Sequence, residues 1–185
     1  LQLNGALQSP GVMSVNVTGT LVNNMAGPAA IGNQLALRIG DYSGTPLQTQ
    51  VNTLAASTAG NLALSQSTPL TVGSVDALNG ISAVGDVLLV LSGETQINQA
   101  VTGQNVTVQM TGANLTISSP GLSGTTGVEV DTLGGNLTLN GTAISAPIVA
   151  LGLSNDFAGA TGGILADQLI VSSGGNFSGQ GATFS

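Results

Sequence analysis

The sequence predicts an all-β chain wound as a β-solenoid, with a β-sandwich as the alternative. Three observations carry this. Leu, Val, Ile and Ala supply nearly all the apolar residues, which make up 42% of the chain, while aromatics make up 2%. Gly, Thr, Ser, Asn and Gln together account for half of the 185 residues, a mixture that suits short strands separated by tight turns. Glu, Lys and Arg, which cover the wet faces of helices, are nearly absent. A short Asn-apolar-x-apolar unit also recurs along the chain, as stacked equivalent rungs require.

That unit consists of Gly or Ala (Gln104 in one copy), then Asn or Asp, then two apolar residues flanking a variable one. It appears as Asn61-Leu62-Ala63-Leu64, Asp86-Val87-Leu88-Leu89, Asn105-Val106-Thr107-Val108, Asn114-Leu115-Thr116-Ile117 and Asn136-Leu137-Thr138-Leu139. Looser copies are Gln168-Leu169-Ile170-Val171 and Asn176-Phe177-Ser178. Each copy alternates apolar with polar, the period of a half-buried strand. A second unit reads Val51-Asn52-Thr53-Leu54, Val75-Asp76-Ala77-Leu78 and Val130-Asp131-Thr132-Leu133, and in Val51 to Leu64 and Val130 to Leu139 it precedes the first unit across a short Gly/Ala link. Strands of three to five residues cannot bury a face alone, so repeats must stack. At roughly 20–25 residues per coil the chain makes about eight coils, and at about 4.8 Å per coil it is about 40 Å long. A sandwich core usually holds a few large rings, so the scarcity of aromatics favours the solenoid.

Residues 1–44 are less regular than the repeats of 45–185, although no linker parts them, and one β-rich domain is expected over 1–185. Val15 to Val22 reads as one strand or a bent pair. Ile31, Leu35 and Ile39 share a four-residue spacing compatible with a short helix, while Gln34 to Ile39 alternates like a strand. Gly32 and Gly40 bracket that stretch and favour the strand.

Composition removes whole classes of chemistry. With no Cys and no His, a thiol nucleophile, a histidine base, a Cys/His zinc site and a disulfide framework are excluded. Arg38 is the single cation in a chain of net charge −7, which argues against nucleic-acid binding by phosphate neutralisation. The longest apolar stretch, Ala146 to Leu153, is broken by Pro147 and Gly152 and is too short to span a bilayer. The start, Leu1-Gln2-Leu3-Asn4-Gly5, has no basic n-region, as expected of a processed chain or an excised fragment.

The stretches VNTLAASTAGNLALSQSTPLTVGSVDALNGISAVGDVLLVLSG and VEVDTLGGNLTLNGTAIS resemble repeats of filamentous-haemagglutinin-like and autotransporter-type bacterial surface proteins. LSNDFAGATGGILADQLIVSSGG is similar to the Asn-Asp-Phe-x-Gly turns of the same proteins. The resemblance spans about residues 45–185. It implies a right-handed parallel β-helix at the cell surface, serving adhesion, aggregation or a stalk. The secretion and translocator domains of that family have no counterpart in this sequence.

Right-handed β-helices also house polysaccharide-active enzymes, whose chemistry rests on acidic side chains. The acids of this chain are Asp41, Asp76, Asp86, Glu94, Glu129, Asp131, Asp156 and Asp167, and most stand singly in turns. Only Glu129 and Asp131 share a strand face, roughly 7 Å apart, where two or three converging carboxylates would be needed for glycoside hydrolysis. They read as solvated outer carboxylates, and Arg38 is expected to pair with nearby Asp41. No catalytic, cofactor or metal residues are assigned. Gly174-Gly175-Asn176-Phe177-Ser178-Gly179 has the glycine spacing of a calcium-binding β-roll but lacks its Asp.

Six sequons, at Asn16, Asn105, Asn114, Asn136, Asn140 and Asn176, arise wherever Asn opens a strand and a hydroxyl residue faces outward. Thr18-Gly19-Thr20 alone has the Thr-x-Thr form that an ice-ordering row would repeat. Neither terminal stretch carries a charged cap, so the ends of the solenoid are expected to meet more coils. The expected role is therefore a non-catalytic, extracellular structural or adhesive protein. Its expected partners are copies of itself or adjoining repeats, with surface glycans as the alternative ligand.

Overall fold

The computed structural model describes residues 1–141, 143–160 and 163–180. It contains strands and no helix among the described residues, coiled into a parallel β-solenoid of about eight turns. Twenty strands belong to one sheet, and every ladder in it is parallel. Among the described residues, the single antiparallel pairing joins Ser74–Val75 to Leu78–Asn79. A sandwich of hairpins would be antiparallel throughout, so the solenoid is the fold.

The Asn-apolar-x-apolar unit occurs in two columns. Leu62, Val87, Val106, Val128, Val149 and Leu169 stack in register as the first column. Leu70, Thr95, Leu115, Leu137, Phe157 and Phe177 form the second. A third column, without the motif, runs Ala56, Ile81, Val101, Leu122, Ile144 and Ile164. The three columns face one another across a single continuous core in which Leu89, Ile97, Val108 and Leu115 have no exposed surface. Alternation explains the choice of residues: each inward aliphatic is followed by an outward polar or small residue, as in the buried–intermediate–buried pattern of Leu115–Ser118.

The second sequence unit is not a structural repeat. Val51 to Leu54 turns into the strand Thr53–Thr58, Val75 to Leu78 makes the hairpin, and Val130 to Leu133 ends the strand Leu122–Leu133. Their shared spelling reflects a common need for an apolar residue on each side of a polar bend.

Several strands outrun the expected length, because the backbone stays extended around corners. Leu7–Asn23 has 17 residues, Ala30–Gly44 has 15 and Leu122–Leu133 has 12. Residues 34–39 are strand, as the alternation implied, with Leu35, Leu37 and Ile39 inward. Leu7–Asn23 pairs with Ala30–Gly44 in parallel and joins the same sheet as the later coils. Its irregular sequence marks two register shifts, between Ser9 and Val12 and between Val17 and Thr20, each spending an extra residue on a bulge.

Candidate functional site

Two side-chain ladders run along the corners of the solenoid and explain the Asn of the repeated unit. In the first, Asp41 Oδ1 accepts the Asn61 N–H at 2.8 Å, Asn61 Oδ1 accepts the Asp86 N–H at 2.8 Å, and Asp86 Oδ1 accepts the Asn105 N–H at 3.1 Å. Asn105 also donates its side-chain amide to Asp86 Oδ1 at 2.8 Å. In the second, Asn114 donates its side-chain amide to Glu94 Oε1 at 3.0 Å, and its Oδ1 accepts the Asn136 N–H at 3.0 Å. Asp156 Oδ1 in turn accepts the Asn176 N–H at 2.9 Å. Where these links occur, a side chain of one coil satisfies a backbone donor of an adjacent coil at the corner.

The small residue before the Asn follows from the same geometry. A Cβ on Gly85 would run into Asn61 Oδ1 and the backbone of Gly60, and one on Gly135 into the carbonyl of Ala113. These ladders also occupy the sequons at Asn105 and Asn114, whose amide nitrogens are committed to Asp86 and Glu94. The Thr of the sequon at Asn140 lies outside the described residues. The glycine run at 174–179 is an ordinary corner: the Gly174 N–H reaches the Leu153 carbonyl at 2.8 Å and Gly175 stacks over Asn155.

Glu129 and Asp131 do lie on the outer side of one strand, yet they diverge in use. Glu129 is exposed beside Ala150, while Asp131 leans over Gly152 of the following coil. No group of three His, Cys, Asp or Glu able to hold a metal exists among the described residues. Thr18 and Gly19 sit in the second bulge, so Thr18-Gly19-Thr20 is no flat row.

Arg38 does not pair with Asp41. Its Nη1 donates to Asp76 Oδ2 at 2.9 Å and its Nη2 to the Asp76 carbonyl. Asp41 is instead a ladder member, accepting from the backbone of Tyr42 and Asn61. The strand rounds a corner between inward Ile39 and inward Tyr42, three residues apart, and this turns Asp41 into the ladder and away from Arg38. Hydrogen bonds from Ser14 and Arg38, with the guanidinium charge, hold the Asp76 carboxyl below its usual range.

Two polar features have no motif in the sequence. A hydroxyl row climbs the third column's outer side through Ser57, Ser82, Thr102, Ser123 and Ser145. These residues stand one to a coil and so escape any local pattern. A groove of about 470 Å³ crosses the first column's outer face, lined by Gln48, Gln50, Ser65, Ser67, Ser92 and Thr111 among others. At its floor, buried Gln66 accepts from Thr49 Oγ1 at 2.6 Å and donates to the Val51 carbonyl at 2.5 Å. No helix is long and apolar enough to cross a membrane among the described residues. Comparison with protein-family models, curated proteins and solved structures finds no match to this chain.

Proposed function

We propose that this chain is a non-catalytic structural module of a bacterial cell-surface fibre, in which the end strands of the solenoid meet further coils of the same kind. The observation that carries this is the repetition of one coil, with columns of inward residues stacked in register by parallel ladders along the described chain. Parallel ladders of this kind extend by strand addition wherever one edge meets a like edge. The scatter of the acids over several coils, rather than about one cleft, also supports a stacking material.

Size-exclusion chromatography with negative-stain electron microscopy tests the proposal. Concentration-dependent end-to-end oligomers are expected. A monomer at all concentrations with intact β circular dichroism would overturn it. The uncharged groove, in which amides and hydroxyls stand beside Pro28, Val90 and Leu91, favours a second reading, an adhesin for neutral glycans. Saturable binding on a glycan array, lost when Gln48 and Gln50 are replaced by Ala, would support it, and an empty array would remove it.

A further inference from the structure

We propose that residues 74–79 are a clasp that ties the first coils of the solenoid to the fourth. The hairpin leaves the sheet between Leu70–Val72 and Ile81–Ala83 and makes the step from Leu62 to Val87 the longest in its column. It folds back toward the amino-terminal coils. Val75, 3% exposed, packs with Ala36 and Ala55, both fully covered, and Leu78 closes over the same cluster. Ala36 and Ala55 lie on the outer side of Ala30–Gly44 and Thr53–Thr58, in register with Ser14.

From the hairpin tip, Asp76 reaches further back still. Its Oδ2 accepts from Ser14 Oγ at 2.5 Å on one coil and from Arg38 Nη1 at 2.9 Å on the next. The chain's only basic side chain is thus engaged in this contact.

In a solenoid each coil normally contacts only its neighbours, so the end coils are held from one side and open first. Among the described residues, the strand Leu7–Asn23 is held almost entirely from one side. Apart from Val22 and Asn23, which pair with Gln2–Leu3, its residues pair only with Ala30–Gly44 among the described residues. The clasp adds contacts from a coil that is not its neighbour, and so makes the opening of the first coils depend on the fourth. Small outward residues at Ala36 and Ala55 are what let the hairpin lie flat.

Hydrogen exchange read by mass spectrometry on the full chain tests this, comparing the native chain with Val75→Ser and Asp76→Asn. Exchange in residues 7–39 should quicken about tenfold in Val75→Ser and about threefold in Asp76→Asn, while residues 101–153 change less than about twofold. Unchanged exchange in 7–39, or an equal rise in 101–153, would overturn the clasp. If Val75→Ser loses its β circular dichroism, Asp76→Asn decides alone, since Asn tolerates the positive φ of that turn.

Discussion

Asn61 Oδ1 receives the backbone N–H of Asp86 across 2.8 Å, one full coil further along the chain. The bond needs a bare backbone beside it, which Gly85 supplies. Where the crowding is against backbone rather than a movable side chain, substitution should be least tolerated.

Gly135 is that case, because its missing Cβ faces the Ala113 carbonyl. Gly135→Ala should destabilise the fold by about 2–3 kcal/mol, as overpacking does. Urea denaturation followed by circular dichroism measures it, with Gly11→Ala as the control, since nothing lies within 4 Å of a Cβ there. Equal midpoints for the two variants would refute the steric account.

Thr132 points in the other direction. It sits in the inward column between Met110 and Leu153, 1% exposed, and its hydroxyl has no hydrogen-bond partner. Thr132→Val keeps the shape and removes an unsatisfied buried polar group, so stability should rise by about 1 kcal/mol. A lower melting temperature would show that the hydroxyl has a hidden use.

Asp76 and Ala77 both have positive φ, at 47° and 62°, the mark of a type I′ hairpin turn. An alanine in that region costs about 1 kcal/mol that glycine does not. Ala77→Gly should therefore raise the melting temperature, and a fall would mean that the Ala77 methyl packs productively.

The pH dependence has two limbs. Asp76 titrates lower in the folded state than unfolded, so its contribution is complete above the ordinary carboxylate pKa, about 3.9, and fades as pH falls through the depressed value. Asp76→Asn should flatten the acid limb of the stability curve. Tyr42, 5% exposed with its hydroxyl donated to the Thr45 carbonyl, is pushed by burial from 10.0 to about 12. The folded state holds that proton more tightly, so stability is full below pH 10 and declines toward 12. Tyr42→Phe should remove the decline, read by chemical denaturation across that range.

Much of the fold could be read from alternation in single segments. Leu115-Thr116-Ile117 and Leu137-Thr138-Leu139 announce inward and outward sides, and the Asn before each announces a corner. What could not be read was which segments stack on which. Asn61 and Asn114 open near-identical units yet stand in different columns, because coil membership is decided by corner lengths that carry little hydrophobic signal. Val75-Asp76-Ala77-Leu78 shares its spelling with two pieces of the sheet but turns back on itself, and Arg38 lost its true partner for the same reason. The hydroxyl row from Ser57 to Ser145 is legible only once coils are superposed.

The clasp also has a mechanical meaning. Tension applied along the axis of a solenoid would peel coils away singly, since each is bonded only to the next. A tie from Asp76 to Ser14, bridging residues 62 positions apart, shares that load among several coils at once. The amino-terminal portion should then yield as a block at higher force, while the carboxy-terminal coils unwind one after another.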